Sequence, residues 1–564
     1  RSFPPDLPRC AAEAGARLAL VRLFAAASFE ISQARMAPNG YLALVFHAHL
    51  PYVRHPEYEE FLEEDWLYEA ITETYLPLLE VLSKLADEAV PFAVTMSITP
   101  PLCHMLRDPL LIGRFERYLE RSLRLAHREM TRTQDNPELN ELARFYCQRL
   151  ERCRDAFLNR WQRDLVGAFA QLQERGVLEI ITCAATHGFL PLMAGFPEAV
   201  RAQILLARDH YRETFGRDPR GIWLPECAYT ASLDKVLQEA NLRWFVVDSH
   251  GLMFGNPRPR YAIYAPVFTP AGPAAFGRDR DSSRQVWSAE EGYPGDPAYR
   301  DFYRDIGFDL SLDYLREFLP EDGARKFTGL KYHRVTGPGS HKELYQRQSA
   351  ERAADAHAGH FLGARAAQIQ HLRGNMNVPP VVVSPFDAEL FGHWWFEGPE
   401  FLNLFIRKAV YDQDVFRLTT PSTYLAEHDT QQLLVPSDSS WGHKGYWEVW
   451  LDDTNSWIYP HLHAAARRMT ELARIFVNEA PTPIIERALQ QLARELLLAQ
   501  SSDWAFLMKT GTARNYATKR TKDHVLRFTR LYDQIRARDV DEAFLANCEW
   551  RDNLFPNLNW RYYA

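Results

Sequence analysis

Two carboxylates each follow a short apolar run that has the pattern of a buried strand. Glu226 lies in GIWLPEC (residues 221–227), and Asp387 lies in SPFDAELFGHWW (residues 384–395), directly after VPPVVV (residues 378–383). Parallel strands buried on both faces have continuous β-branched runs, and α/β folds carry active sites at the carboxyl ends of such strands. Retaining glycosidases use two carboxyl groups about 5–5.5 Å apart, one as nucleophile and one as acid/base. Because tryptophans stand beside both carboxylates, the pair predicts chemistry on a glycosidic bond.

Histidines follow two further strand-like runs. His47 and His49 come after YLALVF (residues 41–46), and His187 follows LEIIT (residues 178–182). The spacing of two places His47 and His49 on the same side of a continuing strand. A hydrogen-bonded buried pair is one interpretation and zinc is the other, but no HExxH or comparable spacing supplies the remaining ligands. We expect these histidines to hydrogen-bond a sugar rather than to hold a metal.

Tryptophans are the second indication of a sugar ligand. Trp441 lies in WGHKGYWEVW (residues 441–450), where the glycine spacing indicates an exposed loop. A flat indole ring covers the C–H face of a pyranose, and its N–H edge donates to hydroxyl groups. For Trp447 a place in the core is the favoured interpretation, and for Trp66 packing and binding are equally good interpretations.

Apolar runs that alternate with helical patterns indicate the fold. The strand-like runs are 41–46, 92–98, 178–182, 221–226, 244–248 and 381–383, and the count is about seven strands. This alternation predicts an α/β protein with a parallel β/α barrel. Residues 251–285 are rich in Pro, Gly and Arg and are expected to be loop-like. The helical patterns lie at 101–178, 233–240, 462–476, 483–500 and 523–537.

Charge, composition and cysteine spacing exclude several classes of protein. The formal charge of −8, with no long Lys/Arg run, disfavours nucleic acid and anionic membranes as partners. No stretch of 18 apolar residues exists, and neither GxGxxG after a strand nor GxxxxGK[ST] occurs. The seven cysteines are scattered without a CxxC pair, which indicates a reducing cytoplasm rather than a disulfide framework.

The N-terminal segment has a different character from the rest of the chain. The run Ala16–Ser28 resembles a signal peptide, but Arg17 and Arg22 interrupt the apolar region. The first strand-like run starts at Tyr41, shortly after Met36. We therefore expect residues 1–36 to be an extension outside the fold, from a start site placed too early.

Four motifs together resemble those of family 57 of the glycoside hydrolases. They are HAHLP (47–51), ATHG (185–188), WLPEC (223–227) and SPFDAELFGH (384–393), and SSDWAFLMKTG (501–511) resembles a tail motif of the same family. The resemblance covers nearly all of residues 40–564 and is closer to the 1,4-α-glucan branching enzymes of the family. It implies an α/β fold made of an incomplete (β/α)7 barrel (37–100 and 179–410), a helical insertion (101–178) and an all-helical C-terminal domain (411–564).

The resemblance also implies an activity and a set of site residues. It implies cleavage of an α-1,4-glucan and re-attachment of the chain by an α-1,6 bond, with no metal and no cofactor. Glu226 matches the nucleophile and Asp387 the acid/base. Further positions match residues that contact substrate or line the cleft: Arg278, Gly295, Trp441, Asp503, His47, His49, His187, Trp66, Trp287 and Trp450.

Two departures from the family pattern affect the substrate site. Thr512 stands where many members carry Gln, so a hydrogen bond to substrate is lost or made through water. The loop from Asp248 to Arg278 is shorter than in the best-known branching enzymes, in which a tyrosine on this loop covers the donor sugar and helps to exclude water. Tyr261 and Tyr264 are the candidates for that tyrosine.

Two other functions remain as alternatives. The same scaffold accommodates an α-glucan hydrolase or a 4-α-glucanotransferase, and the identity of the loop tyrosine, which the sequence leaves unassigned, bears on the ratio of transfer to hydrolysis. A glucan-binding protein without activity is the alternative from another class, and the intact pair of Glu226 and Asp387 disfavours it. In every case the expected partner is an α-glucan such as amylose, glycogen or starch, and the sequence leaves the oligomeric state open.

Overall fold

The computed structural model of the chain describes residues 38–288, 291–337, 339 and 341–564. The extension expected over residues 1–36, with its run Ala16–Ser28, lies outside the described residues. The described residues form ten strands: β1 (Gly40–Ala48), β2 (Val94–Ile98), β3 (Leu178–Cys183), β4 (Gly221–Trp223), β5 (Trp244–Val247), β6 (Val267–Phe268), β7 (Ala274–Gly277), β8 (Val381–Asp387), β9 (Phe416–Leu418) and β10 (Gln432–Leu433).

Seven parallel strands form the wall of a barrel in the order β8-β1-β2-β3-β4-β5-β7. At the remaining junction β7 and β8 meet through a single bridge, in which Arg278 pairs with Val383. The Asp279 amide donates to the Val383 carbonyl there at 2.8 Å. Neighbouring strands of the ring are therefore paired by a continuous series of hydrogen bonds everywhere except at the junction of β7 and β8. The predicted incomplete (β/α)7 barrel is confirmed.

The structure differs from the sequence prediction in the segment after β5. Residues 251–285 were expected to be loop-like, yet this segment contains β7, which is a wall strand of the barrel. β7 consists of AAFG, whose small residues lack the β-branched signal of the other strands, and its position follows from pairing with β5. Two short strands also lie beyond residue 410, where helices alone were expected: β9 pairs with β1, and β10 pairs with β6.

Side chains alternate between the inside and the outside of the barrel along β1. Ala43 and Val45 belong to the cluster that fills the interior, together with residues of β3, β4, β5, β7 and β8. Leu42, Leu44 and Phe46 belong to the cluster that packs against the surrounding helices. Because both faces are buried, the strands are apolar throughout, and polar residues occur where the strands end.

The helices surround the barrel and form the C-terminal part of the chain. Before β3 they are Asp65–Ala70, Leu76–Asp87, Pro100–Met105, Pro109–Arg132, Pro137–Asp155 and Leu165–Glu174. From β3 to residue 427 they are Pro197–Phe215, Leu233–Glu239, Ser249–Met253, Arg280–Trp287, Ile306–Asp309, Leu312–Leu315, Arg347–Asn375, Gly398–Tyr411 and Pro421–Glu427. The last five are Ile458–Asn478, Pro483–Ala499, Ser502–Thr510, Arg514–Ala537 and Glu542–Arg551. Within the described residues, no helix has the length and apolar character to cross a membrane.

The loop after β8 packs against a π-helical turn, Ile71–Tyr75. Gly392 in this loop has φ +120°, and a Cβ there would lie 1.9 Å from the Glu73 carbonyl oxygen. The Tyr75 hydroxyl donates to Glu389 at 2.5 Å, and His393 Nδ1 lies 2.8 Å from Glu73 Oε2. The absence of a side chain at Gly392 therefore lets the loop that follows Asp387 lie directly on the turn.

We expect Gly392→Ala to destabilise the protein by about 3 kcal/mol, because the new methyl group collides with a backbone oxygen and φ is unfavourable for alanine. The matched control is Gly359→Ala in the helix Arg347–Asn375, where a Cβ meets nothing within 4 Å. That control should stabilise the helix by about 0.5–1 kcal/mol. Thermal unfolding of both variants checks the prediction, and equal melting temperatures would contradict the close approach at Gly392.

Candidate active site

Glu226 lies at the carboxyl end of β4 and accepts hydrogen bonds from two residues of the C-terminal part of the chain. Trp441 Nε1 donates to Glu226 Oε2 at 2.8 Å, and Ser502 Oγ donates to Oε1 at 3.0 Å. The Trp441 amide also donates to the Glu226 carbonyl at 3.0 Å. Two donors on one carboxylate favour its ionised form and fix its orientation.

Three residues at this end of the barrel have backbone angles that are unfavourable for side chains other than glycine. Glu226 has φ 61°, Cys227 has φ 48°, and His187 has φ 58°. Positive φ is uncommon for such residues and costs about 1–3 kcal/mol where packing imposes it. The sequence cannot reveal this strain, because the residue types give no sign of it, yet it marks the same site as the carboxylates.

Asp387 is the last residue of β8, and its Cα partner on β1 is His47. Trp287, at the end of the helix Arg280–Trp287, donates a hydrogen bond to the Asp387 carboxylate, and the charge of Arg278 acts on the same group. The Arg278 guanidinium lies 5.4 Å from the centre of the Trp441 ring and 3.4 Å from Asp248 Oδ2. Arg278, Trp287 and Trp441 therefore meet Asp387 and Glu226 in one site.

Both carboxyl groups are harder to ionise than in water. Burial raises the pKa of Glu226 to about 7, with the Asp503 and Asp387 charges adding to it and the Trp441 and Ser502 hydrogen bonds opposing it. Burial likewise raises the pKa of Asp387 to about 6, against the Trp287 hydrogen bond and the Arg278 charge. Near neutral pH the pair can therefore hold one proton, as acid/base chemistry requires.

The three predicted histidines form a stack beside Glu226. His49 lies on His187 with ring centres 3.9 Å apart, and His47 lies on Trp223 with centres 4.5 Å apart. His47 Nε2 is 3.0 Å from His187 Nε2, and His187 Nδ1 is 2.8 Å from Ser502 Oγ. Burial lowers the pKa values of His47 and His187 well below the usual range, so both rings are neutral at neutral pH.

His49 differs from the other two because it pairs with an acid. Its Nε2 atom is 3.1 Å from both carboxylate oxygens of Asp503, 454 positions away in the sequence. Although burial lowers the pKa of His49, the Asp503 charge and hydrogen bond raise it above the usual value. Although burial raises the pKa of Asp503, the His49 charge brings it down to about 2. The two therefore form a buried ion pair.

Metal ligation is geometrically available at this stack, although the sequence spacing gave no sign of it. Two sets of described residues have ligating atoms within 4.8 Å of one another: His47, Cys183 and His187, and His49, His187 and Asp503. Hydrogen bonds already engage both ring nitrogens of His187 and both ring nitrogens of His49. A metal ion or a substrate hydroxyl would therefore have to replace one of these hydrogen bonds to reach a ring nitrogen of His49 or His187.

Glu389 is a site residue for which sequence reasoning assigned no role. It is buried, accepts from the Tyr75 hydroxyl at 2.5 Å and from the His49 amide at 3.1 Å, and thereby fixes the position of His49. Burial raises the pKa of Glu389 to about 7, against the Tyr75 hydrogen bond. The position of Glu389 only two residues after Asp387 was the feature of the sequence that could have indicated its role. Ser502 was also missed, although it directly precedes Asp503.

Four of the predicted substrate-binding residues are not joined to the carboxylates by any contact of the described residues. Trp450 is only 1 % exposed, with its ring stacked on Phe189 at 4.5 Å, and a Cβ at Gly442 would touch that ring. A ring buried beneath the Trp441 loop supports this loop and presents no face to an open cleft. The other three are Gly295, half-buried at the end of the short turn Tyr293–Gly295, Thr512, exposed beside Thr510, and Trp66, whose ring meets Tyr516 edge-on at 5.9 Å.

Neither candidate for the loop tyrosine lies near the carboxylates. The Tyr261 hydroxyl donates to Asn377, and the Tyr264 carbonyl accepts from the amide of Val381 at 2.9 Å. Val381 is the first residue of β8, whereas Asp387 is its last. Both tyrosines therefore lie at the opposite end of the barrel from the site, and neither can cover a sugar bound there.

Hydrogen bonds hold the C-terminal helices at the mouth of the barrel. Gly188 pairs with Ser501 in a single bridge, and the Ser502 amide donates to the His187 carbonyl at 2.9 Å. Ser502 and Asp503 open the nine-residue helix Ser502–Thr510. The positive end of this helix therefore lies beside the carboxylates and stabilises their charge.

Comparisons with known proteins agree with this architecture. The family model described as glycosyl hydrolase family 57 matches residues 43–436, and the model described as 1,4-alpha-glucan branching enzyme, C-terminal, matches residues 461–563. A 1,4-alpha-glucan branching enzyme of Thermococcus kodakarensis is 34% identical over 92% of this chain and 77% of its own.

Two solved structures are similar over nearly the whole chain. The alpha-amylase AmyC of Thermotoga maritima has a TM-score of 0.87 and 46% identity, covering 93% of this chain and 99% of its own. A branching enzyme of Pyrococcus horikoshii has a TM-score of 0.82 and 34% identity, covering 93% and 97%. These two relatives of one fold thus carry two different activity names.

We expect Trp441→Phe to raise the pKa of Glu226, because the ring remains while the N–H donor to the carboxylate is lost. A hydrogen bond to a charged group contributes about 1.5 kcal/mol, which corresponds to about one pKa unit. If Glu226 must be ionised for activity, the ascending limb of the pH–rate profile moves to higher pH by about one unit. The matched control is Trp447→Phe, whose ring packs on Phe189. The pH dependence of kcat/KM checks this, and an unmoved limb in Trp441→Phe would contradict it.

Proposed function

This chain belongs to glycosyl hydrolase family 57, and we propose that it is a 1,4-α-glucan branching enzyme that acts by retaining double displacement. It would cleave an α-1,4-glucan, hold the cut chain as a glycosyl-enzyme, and attach it through an α-1,6 bond to an acceptor glucan. Amylose, glycogen and starch are the substrates that this activity implies.

One observation carries the proposal. The segment that matches the C-terminal model of branching enzymes, residues 461–563, supplies Ser502 to Glu226 and Asp503 to His49. These contacts support a role for the helices in the proposed reaction site. A transferase benefits from such an arrangement, because an added wall excludes water and can position an acceptor chain.

In the proposed first step, Glu226 attacks the anomeric carbon of the donor sugar. The bond from that carbon to the leaving oxygen breaks, and Asp387 gives its proton to this oxygen. Trp441 and Ser502 hold the Glu226 carboxylate in position. We assign the stack of His47, His49 and His187 to the binding of the same sugar, whose hydroxyl groups would replace hydrogen bonds that the rings make in this structure. The product is a covalent ester between Glu226 and the cut chain.

In the proposed second step, Asp387 acts as a base. It takes the proton from the 6-hydroxyl group of an acceptor glucan while that oxygen attacks the anomeric carbon, and the bond to Glu226 breaks. The stereochemistry at that carbon is inverted twice and so retained. We assign Arg278, Trp287, Trp441 and Asp503 to this site as well.

The motif positions favour this assignment of roles, whereas the pKa values do not. The pKa of Glu226 is about 7 and that of Asp387 is about 6, although a nucleophile needs the lower value and an acid the higher one. The hydrogen bonds that Glu226 accepts from Trp441 and Ser502 already lower its pKa and do not reverse this order. The assignment therefore rests on the motif positions.

Hydrolysis is the second candidate activity. The 46% identical relative is described as an alpha-amylase, and neither Tyr261 nor Tyr264 lies where it could cover the donor sugar. A site that lacks this cover admits water to the glycosyl-enzyme more easily. Water then competes with the acceptor 6-hydroxyl for the same intermediate, and Asp387 activates either one.

We further propose that the protein acts in the cytoplasm. The six cysteines among the described residues are all buried as free thiols, which suits a reducing compartment.

We expect Glu226→Gln and Asp387→Asn to remove activity while both variants keep the wild-type melting temperature. Asp387→Asn loses the proton transfer, a loss of roughly 10²–10⁴-fold in kcat. Glu226→Gln loses the nucleophile and should be at least as severe. The matched control is Glu479→Gln, an exposed carboxyl at the end of the helix Ile458–Asn478, which should keep full activity. Substantial turnover by folded Glu226→Gln would refute the assignment.

Incubation with amylose tests the proposed reaction. A branching enzyme weakens the iodine colour without a matching rise in reducing ends, and debranching of the product releases new short chains. If reducing ends rise in step with the loss of iodine colour and debranching releases nothing, the chain is a hydrolase and the proposal is wrong.

A further inference from the structure

Five aromatic side chains form a surface patch next to the loop that follows Asp387. We call this patch, made of Phe302, Tyr303, Phe308, Phe327 and Trp394, the aromatic platform. Tyr303 is 75% exposed, Trp394 52% and Phe308 47%, whereas Phe302 and Phe327 are half-buried between them. Exposed aromatic rings this close together are costly in water, which makes such a patch a candidate binding surface.

The rings of the aromatic platform touch one another in sequence. Trp394 stacks on Phe302 with ring centres 4.4 Å apart and an angle of 28° between the planes. Phe302 meets Tyr303 at 5.1 Å and Phe327 at 5.5 Å, and Phe327 meets Phe308 at 5.2 Å. The platform is therefore one continuous apolar surface with aromatic faces and edges.

Charged groups beneath the platform hold it rigid. The Lys331 ammonium lies 4.1 Å from the centre of the Phe302 ring and 4.3 Å from that of Phe327, and it donates to the Phe302 carbonyl at 2.5 Å. His393, beside Trp394, bonds to Glu73 at 2.8 Å. A surface fixed in this way loses little side-chain freedom when a ligand binds.

The platform is linked to the candidate active site through one loop of the chain. Trp394 belongs to the same loop as Asp387 and Glu389, and its amide donates to the Glu389 carbonyl at 3.2 Å. Glu389 in turn contacts His49 of the histidine stack. One short loop therefore links the reacting carboxyl group to the exposed indole.

We propose that the aromatic platform binds a stretch of α-glucan beyond the sugars held at Glu226 and Asp387, so that the enzyme favours long chains over short ones. This inference rests on the proposed function. Pyranose rings present apolar C–H faces that stack on aromatic rings, and successive sugars of a glucan can occupy neighbouring rings of the platform. The link to the site through the loop that carries both Asp387 and Trp394 favours a glucan over a second copy of this chain as the occupant.

Binding to an inactive variant tests the inference. In the Glu226→Gln background, the Kd of amylose and the Kd of maltotriose are measured for Tyr303→Ala and for Trp394→Ala. Each substitution should raise the Kd of amylose by about tenfold, which corresponds to about 1.4 kcal/mol, and should change the Kd of maltotriose much less. Tyr303→Ala is not expected to unfold the protein, because a side chain that is 75% exposed contributes little to the core. A weaker binding of amylose by this variant would therefore not result from misfolding.

The matched control is Trp550→Ala, an exposed indole at the end of the helix Glu542–Arg551, 47% exposed. It should leave both Kd values unchanged. Equal amylose affinity in the platform variants and their parent would overturn the inference, as would a parallel loss for maltotriose. A dimer of the parent protein that Tyr303→Ala dissociates, with amylose binding intact, would assign the platform to self-association instead.

Failure of this inference can be told apart from failure of the proposed function. The binding assay uses an inactive variant and does not depend on whether the products are branched. Hydrolysis of amylose by the wild-type enzyme, together with weaker amylose binding in the platform variants, would reject the branching activity alone.

Discussion

Burial of four carboxyl groups at one end of the barrel is the constraint on which the rest of the structure depends. Glu226, Asp387, Glu389 and Asp503 lie close together at low exposure, and an unpaired buried charge is costly. Each one therefore needs donors, and the barrel strands alone do not supply them. Trp441 and Ser502 donate to Glu226, Tyr75 donates to Glu389, and His49 pairs with Asp503, and all four of these partners lie more than 200 residues away in the sequence from the acid they serve. Trp287 donates to Asp387.

The same constraint couples the chemistry to the docking of the C-terminal helices. Ser502 bonds to Glu226 and lies within hydrogen-bonding distance of His187, while Asp503 balances the charge of His49. Removal of these helices would leave Glu226 with one donor and His49 without its counter-ion. The strained backbone at His187 and Glu226 fits this view, because packing from both parts of the chain is needed to keep positive φ at residues other than glycine.

Sequence reasoning predicted the parts of the structure that local patterns determine. The apolar runs of β1 and β8 and the polar residues at their ends identified the barrel and placed Asp387, and the motif order identified the family. The reasoning failed where pairing or long-range packing decides. β7 has no β-branched residue, and its position follows from pairing with β5 and β6. Trp450 lies in the same motif as Trp441 but is buried in the core, and Tyr261 and Tyr264 lie at the far end of the barrel. The contacts of Ser502 and Glu389 arise from the fold alone.

The central claim is that Glu226 becomes covalently bound to the cut glucan chain, while Asp387 protonates the leaving oxygen and later deprotonates the acceptor hydroxyl. Its most direct test is mass spectrometry of the Asp387→Ala variant after incubation with α-maltosyl fluoride, whose fluoride leaves without help from an acid. The account predicts that the protein gains the mass of one maltosyl group, on the peptide that carries Glu226, because no base remains to activate an acceptor. An adduct on any other residue, or steady fluoride release without an adduct, would contradict it.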